Sequence, residues 1–264
     1  MNEENGLKAQ VALVTGGGVG IGRAIAEALV AQQARVAICG RRLEELDRTA
    51  RTLSNAGVEV LPLPCDVTQR VDVERTVDSV VRTFGRLDIL INNAGASGRT
   101  PIQDPDDSKW QNIIQVNLTG SYLCAKLAIP HMLKHQYGRI VNVSSVLGRF
   151  GVAGYLAYCT AKHGILGFTK ALALEVASQG ITVNAICPTW VDTAMARQGI
   201  EETAAILGVS PEEFREMAIG AVPIKRMAEA EEVASLVVYL CSKAASAVTG
   251  QALNICGGAT AGIA

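Results

Sequence analysis

The chain has 264 residues, of which 49% are hydrophobic and 19% charged, and its net charge is -1. This apolar fraction can build a sizeable core, so the composition excludes a disordered chain. The balanced charge, with no basic block, offers no electrostatic footprint for nucleic acid or an anionic membrane, and we expect neither as a partner.

The predicted elements alternate along the whole chain, with short apolar runs followed by longer segments of helical periodicity. The predicted strands are 11–14, 35–39, 58–63, 87–91, 139–143, 181–186 and 252–255. The predicted helices are 21–33, 43–56, 71–84, 110–134, 155–178 and 231–240. Continuous apolar strands separated by helices are typical of a parallel sheet covered on both faces. We therefore predict one α/β domain over 1–264, with a Rossmann-type doubly wound parallel sheet of about seven strands and helices on both faces.

The turn after the first predicted strand is rich in glycine. Glycines permit a tight turn and let backbone N–H groups approach a pyrophosphate, while the helix N-terminus adds partial positive charge. No G-K-[ST] follows, which excludes a P-loop. The turn predicts a dinucleotide site, and an ordinary strand-to-helix turn is the alternative. The predicted binding residues here are Gly16, Gly18, Gly20, Ile21 and Gly22.

The second predicted strand ends at Gly40, followed by Arg41 and Arg42. An NAD site typically places Asp or Glu here to accept a hydrogen bond from the ribose 2′-OH. Glycine removes that acid, and a guanidinium can bind a 2′-phosphate through two hydrogen bonds. We therefore favour NADP(H), with contact from Arg41, over NAD(H). The alternative is that both arginines are solvated at the start of a helix.

Tyr158 and Lys162 are four residues apart and therefore neighbours on one helix face. A nearby ammonium favours a phenolate, so the pair predicts a tyrosine that exchanges a proton. Tyr155 has Cys159 at the corresponding position and is expected to pack. Ser145 follows the fifth predicted strand, at the edge where parallel sheets bind ligands. Chemistry alone does not choose between it and Ser144.

The irregular stretch at 193–226 lies between the sixth strand and the last helix. It contains Ser210 to Glu213, a capping-box start with proline at the first helical position. We predict a substrate lid here, and the alternative is an ordinary surface helix. The apolar residues that this lid offers a substrate are Ile200, Ile206, Leu207, Phe214 and Met217.

These features together resemble the short-chain dehydrogenase/reductase family. The residues from Thr15 to Gly22 have its T-G-x-x-x-G-I-G spacing, and 92–95 has its N-N-A-G motif. Its S-x12-Y-x3-K spacing is also present and selects Ser145 over Ser144. The resemblance implies further cofactor contacts at Asp66, Val67, Asn93, Ala94, Gly95, Tyr158, Lys162, Pro188, Val191 and Thr193.

Two positions depart from the family pattern. Val19 stands where many NADP-dependent members have a basic residue, which counts toward NAD(H). Thr189-Trp190 stands where the family usually has glycine, which allows close backbone approach to the nicotinamide.

The resemblance implies hydride transfer between a nicotinamide and a carbonyl or alcohol carbon. Ser145 would position the substrate oxygen and Tyr158 would transfer its proton. Lys162 would lower the tyrosine pKa and bind the nicotinamide ribose, and Asn117 would hold a water that links to the lysine.

The stretches 162–175, 222–224 and 252–258 look similar to those of 3-oxoacyl and polyketide ketoreductases, so we expect reduction of a 3-oxoacyl thioester or a related bulky ketone. One alternative is an NAD-dependent dehydrogenase of a secondary alcohol, such as a hydroxy acid or a steroid. Another is a non-catalytic redox sensor that only binds the dinucleotide.

We also expect a homotetramer, because the predicted helices 110–134 and 155–178 carry more small and apolar residues than one sheet face can bury. The small residues are Ala161, Gly164, Gly167 and Ala171. The family resemblance implies the same interface.

The seven cysteines are scattered and contain no C-x-x-C pair, which suits a reducing compartment. The polar, acidic stretch from Met1 to Asn5 is the wrong start for a secretory signal. His131 and His135 are spaced as two metal ligands can be, but no third ligand is evident. We expect a cytoplasmic protein without a metal site.

Overall fold

The computed structural model describes residues 7–54 and 58–261. The strands in these ranges are β1 (Val11–Thr15), β2 (Arg35–Gly40), β3 (Val60–Pro64), β4 (Ile89–Asn92), β5 (Gly138–Val143), β6 (Ile181–Pro188) and β7 (Ala252–Ile255). They form one parallel sheet in the order β3-β2-β1-β4-β5-β6-β7. The helices are α1 (Gly20–Ala31), α2 (Leu43–Ser54), α3 (Arg70–Phe84), α4 (Ser108–Ile114), α5 (Gly120–Leu133), α6 (Leu156–Val176), α7 (Ala194–Leu207), α8 (Pro211–Gly220) and α9 (Ala230–Cys241).

Both faces of the sheet are covered, which confirms the predicted fold class. Along β1, Ala12 and Val14 pack into a cluster with side chains of α1, α2 and α9. The alternate residues Val11 and Leu13 pack into a second cluster with side chains of α3, α5 and α6. Since successive strand residues face opposite sides, a strand buried on both faces must be apolar at every position.

The sheet topology places a ligand crevice at the end of β1. This strand pairs with β2 on one side and with β4 on the other, so the order of the chain reverses there. Ligands of open α/β sheets bind at such a switch point, outside the carboxyl ends of the strands. The glycine turn after β1 and the loop after β4 both leave the sheet at this edge.

The predicted helix 110–134 contains an irregularity in its first half. Residues Gln115–Thr119 form a π-helical turn between α4 and α5. The Asn117 side chain donates to the Ile113 carbonyl at 2.8 Å, four residues back. A side chain that bonds the carbonyl four residues back competes with the backbone ladder of the helix.

Other element boundaries differ from the predictions by one or two residues. The second predicted helix ends at Ser54, and Ala56 and Gly57, where its end was expected, lie outside the described residues. The predicted helix 155–178 is α6 followed by a 3-10 turn at Ala177–Gln179.

The segment 193–226 contains two helices, α7 and α8. Thr193 caps α7 by accepting from the Ala196 amide at 3.3 Å. The predicted capping box begins α8, with the Glu213 amide donating to Ser210 Oγ at 3.1 Å and the Ser210 amide donating to Glu213 at 2.8 Å. The role of the segment 193–226 as a substrate lid stays a prediction.

Among the described helices, none combines the length and the apolar character needed to span a membrane.

Candidate active site

The glycine turn leaves space for backbone only. Gly16 has φ +66° and Gly20 has φ +53°, in the left-handed region that favours glycine. A Cβ on Gly22 would lie 2.3 Å from the Gly16 carbonyl oxygen and 2.4 Å from Asn93 Nδ2. Gly22 is therefore required for α1 to start so close to β1.

The N-terminus of α1 offers unpaired backbone donors to an anion. Val19 is the N-cap and supplies no side-chain hydrogen bond, and the first turn of α1 contains no acidic residue. The first N–H groups of a helix have no partner within the helix, and the helix dipole favours negative charge at this end. These features fit the pyrophosphate of a dinucleotide.

Thr15 attaches the loop after β4 to β1. Its hydroxyl oxygen accepts from the amides of Asn93 and Ala94 at 3.0 and 2.9 Å. The Asn93 side chain donates back to the Thr15 carbonyl at 2.9 Å. The predicted contacts Asn93 and Ala94 thus lie beside the glycine turn. Thr15 was not predicted to organise the site, although it is the first letter of the glycine motif.

The end of β2 presents an exposed cation and no carboxylate. Gly40 is the last strand residue, and Arg41 and Arg42 are exposed. Neither arginine makes an ion pair with a described residue. This arrangement fits the 2′-phosphate of NADP(H).

The predicted adenine contacts follow β3. The Asp66 carboxylate accepts from the amide and the hydroxyl of Thr68 at 3.0 and 2.8 Å, which shapes the turn before α3. Val67 is buried against Gly120, where an added Cβ would lie 2.8 Å from the valine Cγ2. Their contact with a cofactor stays a prediction.

The two serines after β5 have different hydrogen-bond partners. Ser144 Oγ donates to the Lys162 carbonyl at 2.9 Å and joins β5 to α6. Ser145 Oγ accepts from the Leu147 amide at 3.1 Å, and its hydrogen bonding with Tyr158 offsets part of the rise that desolvation causes in the pKa of that tyrosine. Ser145 is therefore the serine that meets the tyrosine, as the family spacing predicts.

Lys162 lies beside the Tyr158 ring, and Asn117 and Lys162 both lie near Gly95. Lys162 Nζ is 5.4 Å from the centroid of the Tyr158 ring and donates to the Val143 carbonyl at 2.8 Å. A Cβ on Gly95 would be 3.0 Å from Asn117 Oδ1 and 3.9 Å from Lys162 Nζ. A side chain at position 95 would therefore press against both polar groups.

The predicted effect of Lys162 on Tyr158 is wrong in this structure. Burial raises the pKa of Tyr158 to about 12, and the hydrogen bond with Ser145 offsets this only partly. Burial also lowers the pKa of Lys162 to about 8. Because Lys162 loses its charge at a lower pH than the phenol, no ammonium remains to stabilise the phenolate.

The chain after β6 runs beside the glycine turn. Pro188 ends the strand, Val191 pairs with Ala228, and the Thr193 Cγ2 lies 3.2 Å from the place of a Cβ on Gly20. The predicted contacts Pro188, Val191 and Thr193 thus border the same crevice. Among the described residues, no group of three or more His, Cys, Asp or Glu side chains is placed to hold a metal ion.

Trp190 packs the chain after β6 against α8. Its ring meets that of Phe214 on α8 edge to face, with centroids 6.3 Å apart. Tyr155 makes a second connection, since its hydroxyl lies 3.1 Å from that of Thr203 on α7. Neither contact was predicted, because the partners are distant in sequence.

Comparison with known proteins identifies the family. The family model for short chain dehydrogenases matches residues 10–204. A putative ketoacyl reductase of the granaticin polyketide synthase from Streptomyces violaceoruber is 44% identical over 94% of this chain and 92% of its own. The 3-oxoacyl-[acyl-carrier-protein] reductase of Thermotoga maritima is 36% identical over 96% of this chain and 98% of its own.

Solved structures agree with this assignment. A variant of actinorhodin polyketide ketoreductase with NADPH has a TM-score of 0.93 and 43% identity, covering 96% of this chain and 97% of its own. NAD+-bound xylitol dehydrogenase has a TM-score of 0.92 and 34% identity, covering 96% of this chain and 99% of its own. The chain belongs to the short-chain dehydrogenase family, as its motifs predict.

Proposed function

We propose that the protein is an oxidoreductase that uses NADPH to reduce a 3-oxoacyl thioester or a related bulky ketone. The observation that carries the proposal is the meeting of Ser145, Tyr158 and Lys162 beside the glycine turn. The similarity to ketoacyl reductases and to a ketoreductase with NADPH supports the substrate class and the cofactor.

NADPH is favoured by the surroundings of β2. Arg41 would bind the 2′-phosphate. The glycine turn and Ile21 would bind the pyrophosphate, and Asp66 and Val67 would bind the adenine. When bound, the nicotinamide supplies the hydride. NAD(H) is the weaker alternative, because no acid follows β2 to accept from a free 2′-hydroxyl.

Ser145 and Tyr158 act on the substrate oxygen. Ser145 donates a hydrogen bond that orients the carbonyl, and Tyr158 gives its proton to the oxygen as the carbonyl is reduced. A phenol with a pKa of about 12 keeps its proton at neutral pH. That is the form a reduction needs.

Asn117 and Lys162 restore the proton. The amide nitrogen of Asn117 donates to the carbonyls of Ala96 and Ile113 at 2.7 and 2.8 Å. Its Oδ1 is buried and has no hydrogen-bond partner in the described part of the chain. Such an oxygen fits a water that connects Asn117 to Lys162, which also binds the nicotinamide ribose.

The segment 193–226 covers the substrate. Its exposed apolar side chains suit an acyl chain or a ring: Met195, Ile206, Leu207, Met217 and Ile224. Ile200 is buried and serves packing instead. Trp190 and Phe214 connect this lid to the end of β6.

The test is a rate comparison with both cofactors on acetoacetyl thioesters, cyclic ketones and secondary alcohols. We expect turnover of the thioester or the bulky ketones with NADPH. Robust oxidation of alcohols with NAD, and no turnover of the thioester with NADPH, would establish the alcohol dehydrogenase instead. Cofactor binding without turnover of any substrate would establish the redox sensor, which the complete set of site residues disfavours.

We further propose a cytoplasmic homotetramer. All seven cysteines are free thiols, which supports a reducing compartment. The outer face of α6 supports assembly, since Leu174 there is 85% exposed and Gly167 has nothing within 4 Å of an added Cβ. Ala161 and Gly164 were expected at this interface, but Ala161 is buried and Gly164 packs against Leu118 within the chain.

A further inference from the structure

A cavity separate from the active-site crevice lies at the amino edge of the sheet, where β5 and β6 begin. Its volume is about 340 Å3, and it lies at the opposite end of these strands from Ser145 and Pro188. The lining residues are Arg139, Ala177, Gly180, Ile181, Thr182, Ser246, Ala247 and Thr249. The set contains one cation, three hydroxyl groups and no acid.

Arg139 is the cation, and it is only 5% exposed. Its Nη1 donates to the carbonyls of Gly138 and Gly180 at 2.8 and 3.4 Å. The guanidinium also lies over the ring of Tyr137, 4.4 Å from the centroid. These contacts hold the plane of the guanidinium but provide no negative charge.

The buried charge of Arg139 has no counterion among the described residues. The acid just before the neighbouring strand β4, Asp88, accepts instead from Arg86 and from the Val11 amide at 2.9 Å. Arg139 Nε is buried without a hydrogen-bond partner, and Nη2 donates to no residue that the structure describes. Buried charges are normally paired, because desolvation of an isolated ion is costly.

We propose that this cavity binds a small oxyanion, either free phosphate or the phosphoryl group of a small metabolite. Nε and Nη2 form one edge of the guanidinium, which binds carboxylate or phosphate through two parallel hydrogen bonds. Thr249 Oγ1 already accepts from the Val183 amide at 3.1 Å, so its own hydrogen is available to donate. Ser246 is exposed at the cavity and can donate as well.

The test is binding of inorganic phosphate, measured by calorimetry and by the rise in Tm against sodium chloride of equal ionic strength. We expect a saturable rise in the wild-type protein, the same rise in Arg41→Ala, and no rise in Arg139→Met. No rise in the wild-type protein would overturn the proposal. Loss of the rise in Arg41→Ala and its retention in Arg139→Met would also overturn it, because phosphate would then occupy the cofactor site.

A second pair of variants leaves the buried arginine in place. Ser246→Glu puts a carboxylate at the cavity, and we expect it to raise the Tm without phosphate and to abolish the phosphate response. Ala244→Glu adds the same charge at an exposed position that does not line the cavity, and its response should equal that of the wild type. Equal responses of both variants would contradict the proposal. Glycerol phosphate distinguishes the two sources, since tighter binding than inorganic phosphate indicates a phosphorylated metabolite.

Discussion

At the scale of single residues, the pKa values of Tyr158 and Lys162 move because protein replaces much of the water around them, although Tyr158 stays partly exposed and only Lys162 is buried in full. Burial favours the neutral form of each, which raises the pKa of the phenol to about 12 and lowers that of the lysine to about 8. Tyr158 therefore keeps its proton at neutral pH.

We expect Tyr158→Phe to lower kcat/KM by about 100- to 10,000-fold, because it removes the proton donor. NADPH binding, followed by fluorescence titration, should be retained along with the fold. Tyr155→Phe is the matched control three residues earlier, since its hydroxyl contacts Thr203 rather than Ser145. The reverse result, with Tyr155→Phe inactive and Tyr158→Phe active, would refute the assignment.

Lys162→Met tests the electrostatic cost of the buried lysine. The pKa falls from 10.5 to about 8, so below pH 8 the folded state bears a cost of ~3 kcal/mol. Between pH 8 and 10.5 the unfolded state binds more protons, and wild-type stability rises with pH. We expect Met to raise the free energy of unfolding most below pH 8, with the gain shrinking toward pH 10.5.

Urea unfolding across this pH range measures the difference. Lys170→Met, at an exposed position of the same helix, should show no such trend. A gain for Lys162→Met that does not change with pH would exclude the buried charge as its cause. The raised pKa of Tyr158 acts above pH 10, where it makes both proteins less stable as pH rises further.

Arg41→Ala tests the choice of cofactor. Loss of a charged hydrogen bond to the 2′-phosphate should raise the Kd for NADPH by about 10- to 100-fold. NADH lacks that phosphate, so its Kd should barely change, which provides the internal control. Tighter binding of NADH than of NADPH by the wild-type protein would contradict the preference.

At the scale of elements, the closest packing lies between the glycine turn and α1. Gly22→Ala would make a methyl group overlap the Gly16 carbonyl and the Asn93 side chain, and the carbonyl cannot withdraw without moving backbone. We expect a loss of about 3 kcal/mol in the free energy of unfolding and loss of NADPH binding. Urea unfolding and fluorescence titration measure the two effects.

Gly220→Ala is the control for this helix substitution. It ends α8 and has nothing within 4 Å of an added Cβ, so alanine should stabilise by up to about 1 kcal/mol. Equal effects at the two glycines would mean that the contact at Gly22 relaxes at little cost.

At the scale of the whole molecule, the outer face of α6 bears on assembly. Light scattering at micromolar concentration should give the mass of four chains for the wild type. Leu174→Arg should reduce this mass, because it puts a charge on the proposed interface. Val71→Arg is the control on α3, where the valine is 71% exposed. A monomeric wild-type mass would refute the tetramer.

The sequence by itself determined the fold class and most of the site. Continuous apolar strands predict a sheet buried on both faces, because the side-chain period of a strand is a property of the backbone. In the same way, the four-residue spacing of Tyr158 and Lys162 places them on one face of α6. The glycines before α1 belong to one short turn, so their role is local as well.

Only the tertiary structure decided which polar groups are desolvated and which side chains already have a hydrogen-bond or packing partner. Segments far apart in sequence bury Lys162 and cover part of Tyr158, so the pKa of the tyrosine rises where the sequence predicted a fall, although the pair itself was found. Ser144 is joined to α6, and Trp190 meets a ring on α8. The sequence likewise marks Arg139 only as a strand residue. The fold buries it without a counterion among the described residues. Solvation and pairing depend on the whole packing arrangement, whereas periodicity depends on the neighbouring backbone alone.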